Sequence, residues 1–223
     1  MKALIVGAGP GLSASFARKL AGAGYEVALA SRSTNKLGGL AGEIGATLHA
    51  CDASDPASVS ALFAAVPDPE VVHFNASYRV RGPFLELDPS EVQRTLTVSA
   101  FAGFLVAQHA ARVMLPAGRG TILLTGASAS VKGYAQSAPF AMGKFALRGL
   151  AQSMARELHP QGIHVIHVVV DGGIRASSRP EATDRPDSML DPDAIAQTML
   201  DLLRQPRSVW TDEIAVRPWV ERF

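Results

Sequence analysis

Three glycines near the start of the chain have the spacing of a loop that binds a phosphate group. Gly7, Gly9 and Gly11 lie between a short apolar run, Ala3–Val6, and a periodic helical pattern that begins at Leu12. Glycine lets the backbone turn sharply and approach a pyrophosphate, whose charge then faces the free N–H groups of the helix that follows. A turn that needs positive φ is the alternative explanation. The strand–turn–helix context favours a dinucleotide.

The loop also contains Pro10 and Leu12, which we count among the residues that contact the dinucleotide. In such motifs a third glycine lets the helix pack closely against the strand. This chain has Ser13 at that position, and serine is small enough to be tolerated. We therefore interpret the whole loop as a pyrophosphate-binding turn.

The end of the second predicted strand distinguishes between the two nicotinamide dinucleotides. An acidic residue there accepts hydrogen bonds from the ribose 2′-hydroxyl of NAD, whereas a cation suits the 2′-phosphate of NADP. The sequence has Ser31 and Arg32 at this point, with Lys36 nearby. A guanidinium binds phosphate through two parallel hydrogen bonds. We therefore expect NADP(H) to be preferred over NAD(H); the alternative is that Arg32 is an ordinary solvated surface charge.

Polar residues also follow the third and fourth predicted strands. Asp52, with Ala53 beside it, comes directly after the third strand, where its carboxylate can accept a hydrogen bond from an adenine amino group. Asn75, Ala76 and Ser77 follow the fourth strand, at the carboxyl edge where open α/β sheets bind ligands. For Asn75 an Asx turn, which needs no ligand, is the alternative.

These residues require a scaffold that brings the ends of several strands together, and the sequence pattern predicts one. Short β-branched runs alternate with helical stretches, which indicates βαβ units and a parallel sheet. The predicted strands are Ala3–Val6, Glu26–Ala30, Ala46–Ala50, Glu70–Phe74, Thr121–Thr125, Ile163–Val170 and Glu213–Val216. Two predicted helices begin at Leu12 and at Asp55. Four others cover residues 33–44, about 90–115, 140–158 and 191–203. Residues 175–190 lack periodicity and are interpreted as a mobile substrate loop. No linker divides residues 1–223, which favours a single domain.

Composition excludes several classes of protein. The 223 residues include 21 Lys and Arg against 20 Asp and Glu, which leaves no electrostatic footprint for nucleic acid or an anionic membrane. Hydrophobic residues make up 48% of the chain, which excludes disorder. Cys51 is the single cysteine and the six histidines lack metal-ligand spacing, so we expect no disulfide and no metal. The first apolar run is too short for a secretory signal, and no run approaches the roughly 20 residues of a membrane span, so we expect a cytoplasmic chain.

Together these motifs resemble the short-chain dehydrogenase/reductase family, almost from end to end. The segments that carry the resemblance are Gly7–Ser13, Cys51–Asp55, Asn75–Ser77, Lys144 and Val170–Gly173. The resemblance implies an α/β single-domain Rossmann fold: a doubly wound seven-stranded parallel sheet with helices on both faces and a nicotinamide dinucleotide across its carboxyl edge. It also implies that Gly172 and Ile174 contact the cofactor. Finally, it implies a homodimer or homotetramer that pairs the long helices near 90–115 and 140–158.

The acid–base half of the family's site is altered in this sequence. The family uses a Tyr-x-x-x-Lys pair on one helix face: the tyrosine protonates the alkoxide left by hydride transfer, and the lysine lowers the phenol's pKa and holds the nicotinamide ribose. Here the pair is Phe140 and Lys144. The family's serine, thirteen residues before the tyrosine, is replaced by Ala127, and its asparagine position holds Ser99.

A substitute proton donor must come from the loop before this helix. We take Lys144, Ser128 and Tyr134 as the candidate catalytic residues; a surface or dimer-contact role is the alternative for Tyr134. Loss of a positioned general acid costs about 10²–10⁴ in rate. Two functions remain open. The first is an NADP(H)-dependent oxidoreductase acting on a carbonyl, an alcohol or an activated alkene. The second is an inactive NADP(H)-binding protein with a sensor or structural role.

Overall fold

A computed structural model describes residues 1–176 and 178–221 and contains one seven-stranded, fully parallel sheet. The strands are β1 (Lys2–Val6), β2 (Glu26–Ser31), β3 (Thr47–Ala50), β4 (Val71–Phe74), β5 (Gly120–Thr125), β6 (Ile163–Val170) and β7 (Glu213–Val216). Their order is β3-β2-β1-β4-β5-β6-β7, so the direction of winding reverses between β1 and β4. Open α/β sheets bind ligands at such a reversal. The predicted fold class is confirmed.

Helices cover both faces of the sheet. They are α1 (Leu12–Gly22), α2 (Gly38–Ile44), α3 (Pro56–Ala65), α4 (Pro89–Leu96), α5 (Ala102–Met114), α6 (Ala138–Leu158) and α7 (Pro192–Leu202). Alternate residues of β1 enter separate cores: Leu4 and Val6 pack with α3, α5 and α6, whereas Ala3 and Ile5 pack with α1 and α7. Because both faces are buried, the strands are almost continuously apolar, as is typical of a parallel sheet.

The element boundaries agree closely with the sequence pattern except at one helix. Strands β6 and β7 match their predicted residues, but the helix predicted over 33–44 begins only at Gly38. The Ser31 hydroxyl donates to the Ser33 carbonyl at 2.6 Å and stabilises a turn after β2. Short polar side chains compete with helical hydrogen bonds in this way. Residues 32–37, which include Arg32, therefore form a loop at the carboxyl end of β2.

One helical segment is longer and more apolar than the sequence analysis anticipated. Helices α4 and α5 are joined by a π-turn, Thr97–Phe101, and continue into a short 3₁₀ turn, so the segment Pro89–Ala117 is continuous. Within the described residues it is the one helix with the length and composition of a membrane span, and 44% of its most apolar window is buried in the protein. Polar residues interrupt this segment, so it is not a continuous apolar run of the kind sought in the sequence analysis. The finding is weak evidence for a membrane, because core helices pass the same test and α5 packs against β4 and β5.

The two ends of the segment between β6 and α7 are hydrogen-bonded to each other. The Arg175 N–H donates to the Leu190 carbonyl at 2.9 Å, and the Leu190 N–H donates to the Gly173 carbonyl at 2.8 Å. Leu190 is also buried. The described part of this segment therefore starts and ends beside the carboxyl edge of the sheet, and its mobility stays a prediction.

Candidate functional site

The three loop glycines have different structural roles. Gly7 has φ +81°, and a Cβ at this position would lie 2.4 Å from the Ala76 amide nitrogen, so only glycine fits without strain. Gly9 and Gly11 have no positive φ, and a Cβ on either would meet no protein atom within 4 Å. The turn itself therefore requires only Gly7. The other two glycines leave open space beside the backbone, as a ligand-binding loop does.

The beginning of α1 is prepared for an anion. No side chain caps the helix at Gly11, and its first turn contains no acidic residue. The first N–H groups of a helix lack intrahelical partners and carry its partial positive charge. Together with the open loop, this helix end fits the pyrophosphate of a dinucleotide.

Asn75 links β4 to the glycine-rich loop across the point where the winding reverses. Its side-chain amide donates to the Ser13 hydroxyl at 2.8 Å and approaches the Gly7 carbonyl at 3.4 Å. The side chain thus bonds to the neighbouring β1–α1 connection instead of forming the Asx turn considered from the sequence. Ser13, in the place of a third glycine, is buried and supplies the acceptor for this link.

A cavity of about 260 Å³ lies at the ends of β1, β2 and β3. We call it the adenosine cavity. Arg32 lines it and forms no hydrogen bond or ion pair within the described residues. Asp52 also lines it; hydrogen bonds from the Ser54 hydroxyl and amide to its Oδ1 hold its pKa below the usual range, with a smaller contribution from Arg32. Lys36 is exposed and does not line this cavity. The adenosine cavity therefore presents one guanidinium, from Arg32, and one carboxylate, from Asp52, to a ligand.

A second cavity of about 790 Å³ lies at the ends of β4, β5 and β6. We call it the substrate cavity. The two cavities share Asn75 and Ser77, so they meet beyond β4 and form one cleft. Of the predicted site residues, the adenosine cavity is lined by Gly7, Ser31, Arg32, Asp52, Ala53, Asn75, Ala76 and Ser77. The substrate cavity is lined by Leu12, Asn75, Ser77, Ser128, Tyr134, Lys144, Gly172 and Ile174. Neither cavity is lined by Gly9, Pro10 or Gly11. These residues lie between Gly7, which borders the adenosine cavity, and Leu12, which borders the substrate cavity.

Lys144 is the buried cation of the substrate cavity. It is 3% exposed, and its Nζ donates to the Thr125 carbonyl at 2.7 Å. Burial lowers the pKa of its ammonium group to about 8. Its Nζ lies 5.9 Å from the centroid of the Phe140 ring, one helical turn away on α6. The lysine is therefore in place beside an aromatic ring that has no hydroxyl.

None of the three altered positions, Ala127, Phe140 and Ser99, offers a free hydroxyl to the cavity. Ala127 and Phe140 line it with carbon atoms only, apart from the backbone. Ser99 lies in the π-turn between α4 and α5 and is buried. Its Oγ accepts from the Tyr78 amide at 3.2 Å and lies 3.3 Å from the Tyr78 carbonyl, so its hydrogen-bonding capacity is used within the chain.

Two of the four hydroxyl-bearing residues in the loop between β5 and α6 line the substrate cavity. Ser128 and Tyr134 line it, and Tyr134 is 45% exposed with the Lys132 ammonium 5.7 Å from its ring centroid. Ser130 and Ser137 are buried and do not line it. The structure therefore brings Ser128 and Tyr134 together with Lys144 along one cavity.

The sequence analysis missed three arginines that line the substrate cavity. Arg79 and Arg81 follow β4, and Arg179 lies in the segment after β6. The Arg79 guanidinium lies 4.8 Å from the centroid of the Phe140 ring. Burial and the neighbouring charges of Arg81 and Arg179 lower the pKa of Arg79. The available signal was the Arg-Val-Arg tripeptide just after Asn75–Ser77, at a strand end already expected to face a ligand.

Comparison with known proteins agrees with the geometry. The sequence profile described as short chain dehydrogenase matches residues 1–185. (+)-Borneol dehydrogenase 1 of Salvia officinalis is 33% identical over 171 residues, 72% of this chain but only 65% of the relative, slightly less than two thirds of its length. The crystal structure of a short-chain dehydrogenase from Rhodopseudomonas palustris is 35% identical, with a TM-score of 0.85 and 98% of both chains covered.

A second solved structure adds a bound dinucleotide to the comparison. A metagenomic short-chain oxidoreductase in complex with NADP is 28% identical and has a TM-score of 0.84, with 99% of this chain and 98% of that chain covered. The family is one of oxidoreductases that bind NAD or NADP. The chain belongs to the short-chain dehydrogenase/reductase family.

Proposed function

We propose that the protein is an NADP(H)-dependent oxidoreductase of a carbonyl or alcohol, or of an activated alkene, with an altered catalytic site. The observation that carries this proposal is the continuous cleft, with Arg32 in the adenosine cavity and buried Lys144 in the substrate cavity. A protein with this fold but without a nicotinamide site would not need a desolvated lysine at the end of the cleft. The same lysine position serves the nicotinamide end in the family that the chain resembles.

The residues along the cleft fit the parts of NADP(H) in order. Arg32 binds the 2′-phosphate, Asp52 accepts from the adenine amino group, and the open loop at Gly9 and Gly11 with the start of α1 binds the pyrophosphate. Lys144 holds the nicotinamide ribose. When bound, the nicotinamide supplies or accepts the hydride. The NADP complex of the 28% identical metagenomic oxidoreductase supports the choice of this dinucleotide.

Tyr134 is the candidate for the missing proton donor. It is the one phenol that lines the substrate cavity in the described part of the chain, and its exposure lets it exchange protons with solvent. In carbonyl reduction it donates its hydroxyl proton to the substrate oxygen, and Ser128 orients that oxygen from the same loop. The loop 175–190 covers the bound substrate: Ile174, directly before the loop, and Arg179 within it line the substrate cavity.

We also propose that the protein assembles as a homodimer or homotetramer through α4–α5 and α6. Four apolar side chains on these helices are exposed, which is the usual condition of a surface that pairs with another copy. They are Phe101, Phe104, Met142 and Phe145.

A second candidate is a catalytically inactive NADP(H)-binding protein with a sensor or structural role. The substitutions Ala127 and Phe140 favour it, because both remove a hydroxyl while the residues of the adenosine cavity are kept. Both candidates require the dinucleotide, so binding alone does not separate them.

Cofactor fluorescence and turnover test the proposal in two steps. Titration with NADPH and NADH should show binding with a preference for NADPH; failure to bind either would end both candidates. NADPH oxidation is then followed with a panel of ketones, aldehydes and activated alkenes. The oxidoreductase predicts turnover that Tyr134→Phe reduces and Tyr25→Phe, outside the cavity, does not. Absence of turnover with every compound favours the inactive binder.

A further inference from the structure

We propose that the substrate cavity binds a substrate carboxylate, close to the reacting carbonyl, through Arg79, Arg81 and Arg179. The substrate class is therefore an oxo acid or the corresponding hydroxy acid. This inference rests on the proposed oxidoreductase function and specifies what that site accepts. None of the three arginines belongs to the set that the family resemblance assigned.

The three arginines come from two separate loops and meet at one cavity. Arg79 and Arg81 follow β4, and Arg179 is about one hundred residues later, after β6. All three line the cavity that also contains Phe140 and Lys144, and no described aspartate or glutamate lines it. The cavity wall thus has an excess of positive charge with no carboxylate of its own.

The three guanidinium groups are exposed to solvent and line one cavity, so an anion bound between them would reduce their mutual repulsion. Burial lowers the pKa of Arg79 most, and the charges of Arg81 and Arg179 lower it further, so each of them repels the Arg79 guanidinium. Salt screens such repulsion only beyond about 8 Å under physiological conditions. The one buried carboxylate among the described residues, Asp171, lies 3.7 Å from the Lys132 ammonium and 3.6 Å from the Arg217 guanidinium, so it is already paired.

Arginines elsewhere in the chain are commonly matched with carboxylates. Arg18 and Arg148 form close pairs with Glu43 and Glu213, at 2.7 Å and 2.6 Å. Arg175, only four residues before Arg179, pairs with Asp191. The fold therefore supplies partners for many exposed guanidinium groups but leaves those of the substrate cavity without one among the described residues.

The unused donors are suitably arranged for a carboxylate. Arg179 donates from Nε and Nη2 to the Ile174 carbonyl at 3.2 and 2.7 Å, which anchors its guanidinium while its Nη1 stays available. Arg79 and Arg81 make no hydrogen bond to the described residues. A guanidinium presents five donors in a rigid fork that matches the two oxygens of a carboxylate.

The position of Arg79 places the anion near the reacting centre. Its guanidinium lies over the ring of Phe140. Phe140 occupies the place of the family's tyrosine, whose hydroxyl contacts the reacting oxygen. A carboxylate bound by Arg79 is then within a few bonds of the carbonyl, as in a 2-oxo or 3-oxo acid. The phosphates of the dinucleotide have other assigned partners: Arg32 in the adenosine cavity for the 2′-phosphate, and the loop at Gly9 and Gly11 for the pyrophosphate.

Calorimetric titration of acids against their methyl esters tests the inference. The probes are 2-oxobutyrate, 3-oxobutyrate and their methyl esters, added to the protein saturated with NADP⁺. We expect each acid to bind at least tenfold more tightly than its ester. Arg79→Met should weaken acid binding roughly tenfold to a hundredfold, the range for a hydrogen bond to a charged group, without changing ester binding. Arg156→Met, on an exposed part of α6 outside the cavity, is the matched control.

Parallel measurement of NADPH oxidation separates the two proposals. Selective acid binding without any turnover supports the anion site and counts against the oxidoreductase. Turnover of esters as fast as acids supports the oxidoreductase and overturns the anion site. The anion site is also overturned if neither acid binds, or if Arg79→Met weakens NADP⁺ binding and leaves acid binding unchanged.

Discussion

The two ends of the cleft differ in how they depend on the backbone. At the dinucleotide end the important groups are a turn that only Gly7 can form and the uncapped N–H groups of α1. At the substrate end the family's chemistry depends on single side chains, and Phe140 and Ala127 lack the hydroxyl groups required. Lys144 is present there, and three arginines line the same cavity.

This difference shows why one end can change while the other is kept. Phenylalanine differs from tyrosine, and alanine from serine, by one oxygen atom, so both replacements leave the packing of α6 and of the preceding loop almost unchanged. A substitution at Gly7 would instead disturb the connection between β1 and β4. Chemistry at the substrate end can therefore diverge without loss of the fold or of dinucleotide binding.

The largest expected effect comes from restoring the substrate end. The double variant Phe140→Tyr with Ala127→Ser returns a phenol and a hydroxyl beside Lys144, and a positioned general acid contributes about 10²–10⁴ in rate. We expect turnover of simple ketones to rise within that range, measured as kcat/KM by NADPH oxidation. Phe84→Tyr, at an exposed residue that lines neither cavity, should change nothing. An unchanged rate in the double variant would mean that more than the two hydroxyls has been lost.

A pair of glycine variants tests the dinucleotide end. Gly7→Ala places a side chain at φ +81° and against the Ala76 amide. Strain of this kind costs about 1–3 kcal/mol, to which the overlap adds. We expect a lower free energy of unfolding in urea and loss of NADPH binding.

Gly9→Ala should separate binding from stability, because its Cβ meets no protein atom within 4 Å. The free energy of unfolding should stay the same while NADPH affinity falls. Gly133→Ala, which also has open space but lies away from the glycine-rich loop, is the control for both. Equal behaviour of Gly7→Ala and Gly133→Ala would contradict the distinction drawn between the loop glycines.

The pH dependence of stability reports the burial of Lys144. Its pKa is about 8 in the folded chain and 10.5 for an ordinary lysine, so between these values the unfolded chain binds more protons. Stability contributed by this group should therefore rise with pH across that window, by about 3 kcal/mol at 1.36 kcal/mol per pKa unit. Urea unfolding from pH 7 to 10.5 should show the rise in the wild type and in Lys36→Met, but not in Lys144→Met. Parallel curves for all three proteins would contradict the proposed desolvation.

The smallest expected effect concerns the choice of dinucleotide. Arg32→Ala removes the cation assigned to the 2′-phosphate, so NADPH affinity should fall roughly tenfold to a hundredfold while NADH affinity stays nearly constant. Fluorescence titration measures both. Lys36→Ala is the control, because Lys36 is close in sequence but does not line the adenosine cavity. Equal losses for the two dinucleotides would remove the proposed role of Arg32.

Much of the fold was predictable because its signals are local. The alternation of β-branched runs and helical patterns gave the strands, and β6 and β7 match to the residue. The helix expected over 33–44 was too long, because serine hydrogen bonds after β2 compete with helical ones. The sequence also did not show that Pro89–Ala117 is one continuous helical segment, because polar residues interrupt it and its π-turn is visible only in the structure.

The sequence by itself determined the loop glycines, the pattern of a parallel sheet and the Phe-x-x-x-Lys pair, because each is a relation between residues close together in the chain. Only the tertiary structure decided which glycine the turn requires, since Gly7 meets Ala76 from a distant strand end. It also decided that Lys144 is desolvated and that Arg179 lines the same cavity as Arg79. Burial and the meeting of distant charges depend on the order in which the strands are assembled, and that order is not a property of any local segment.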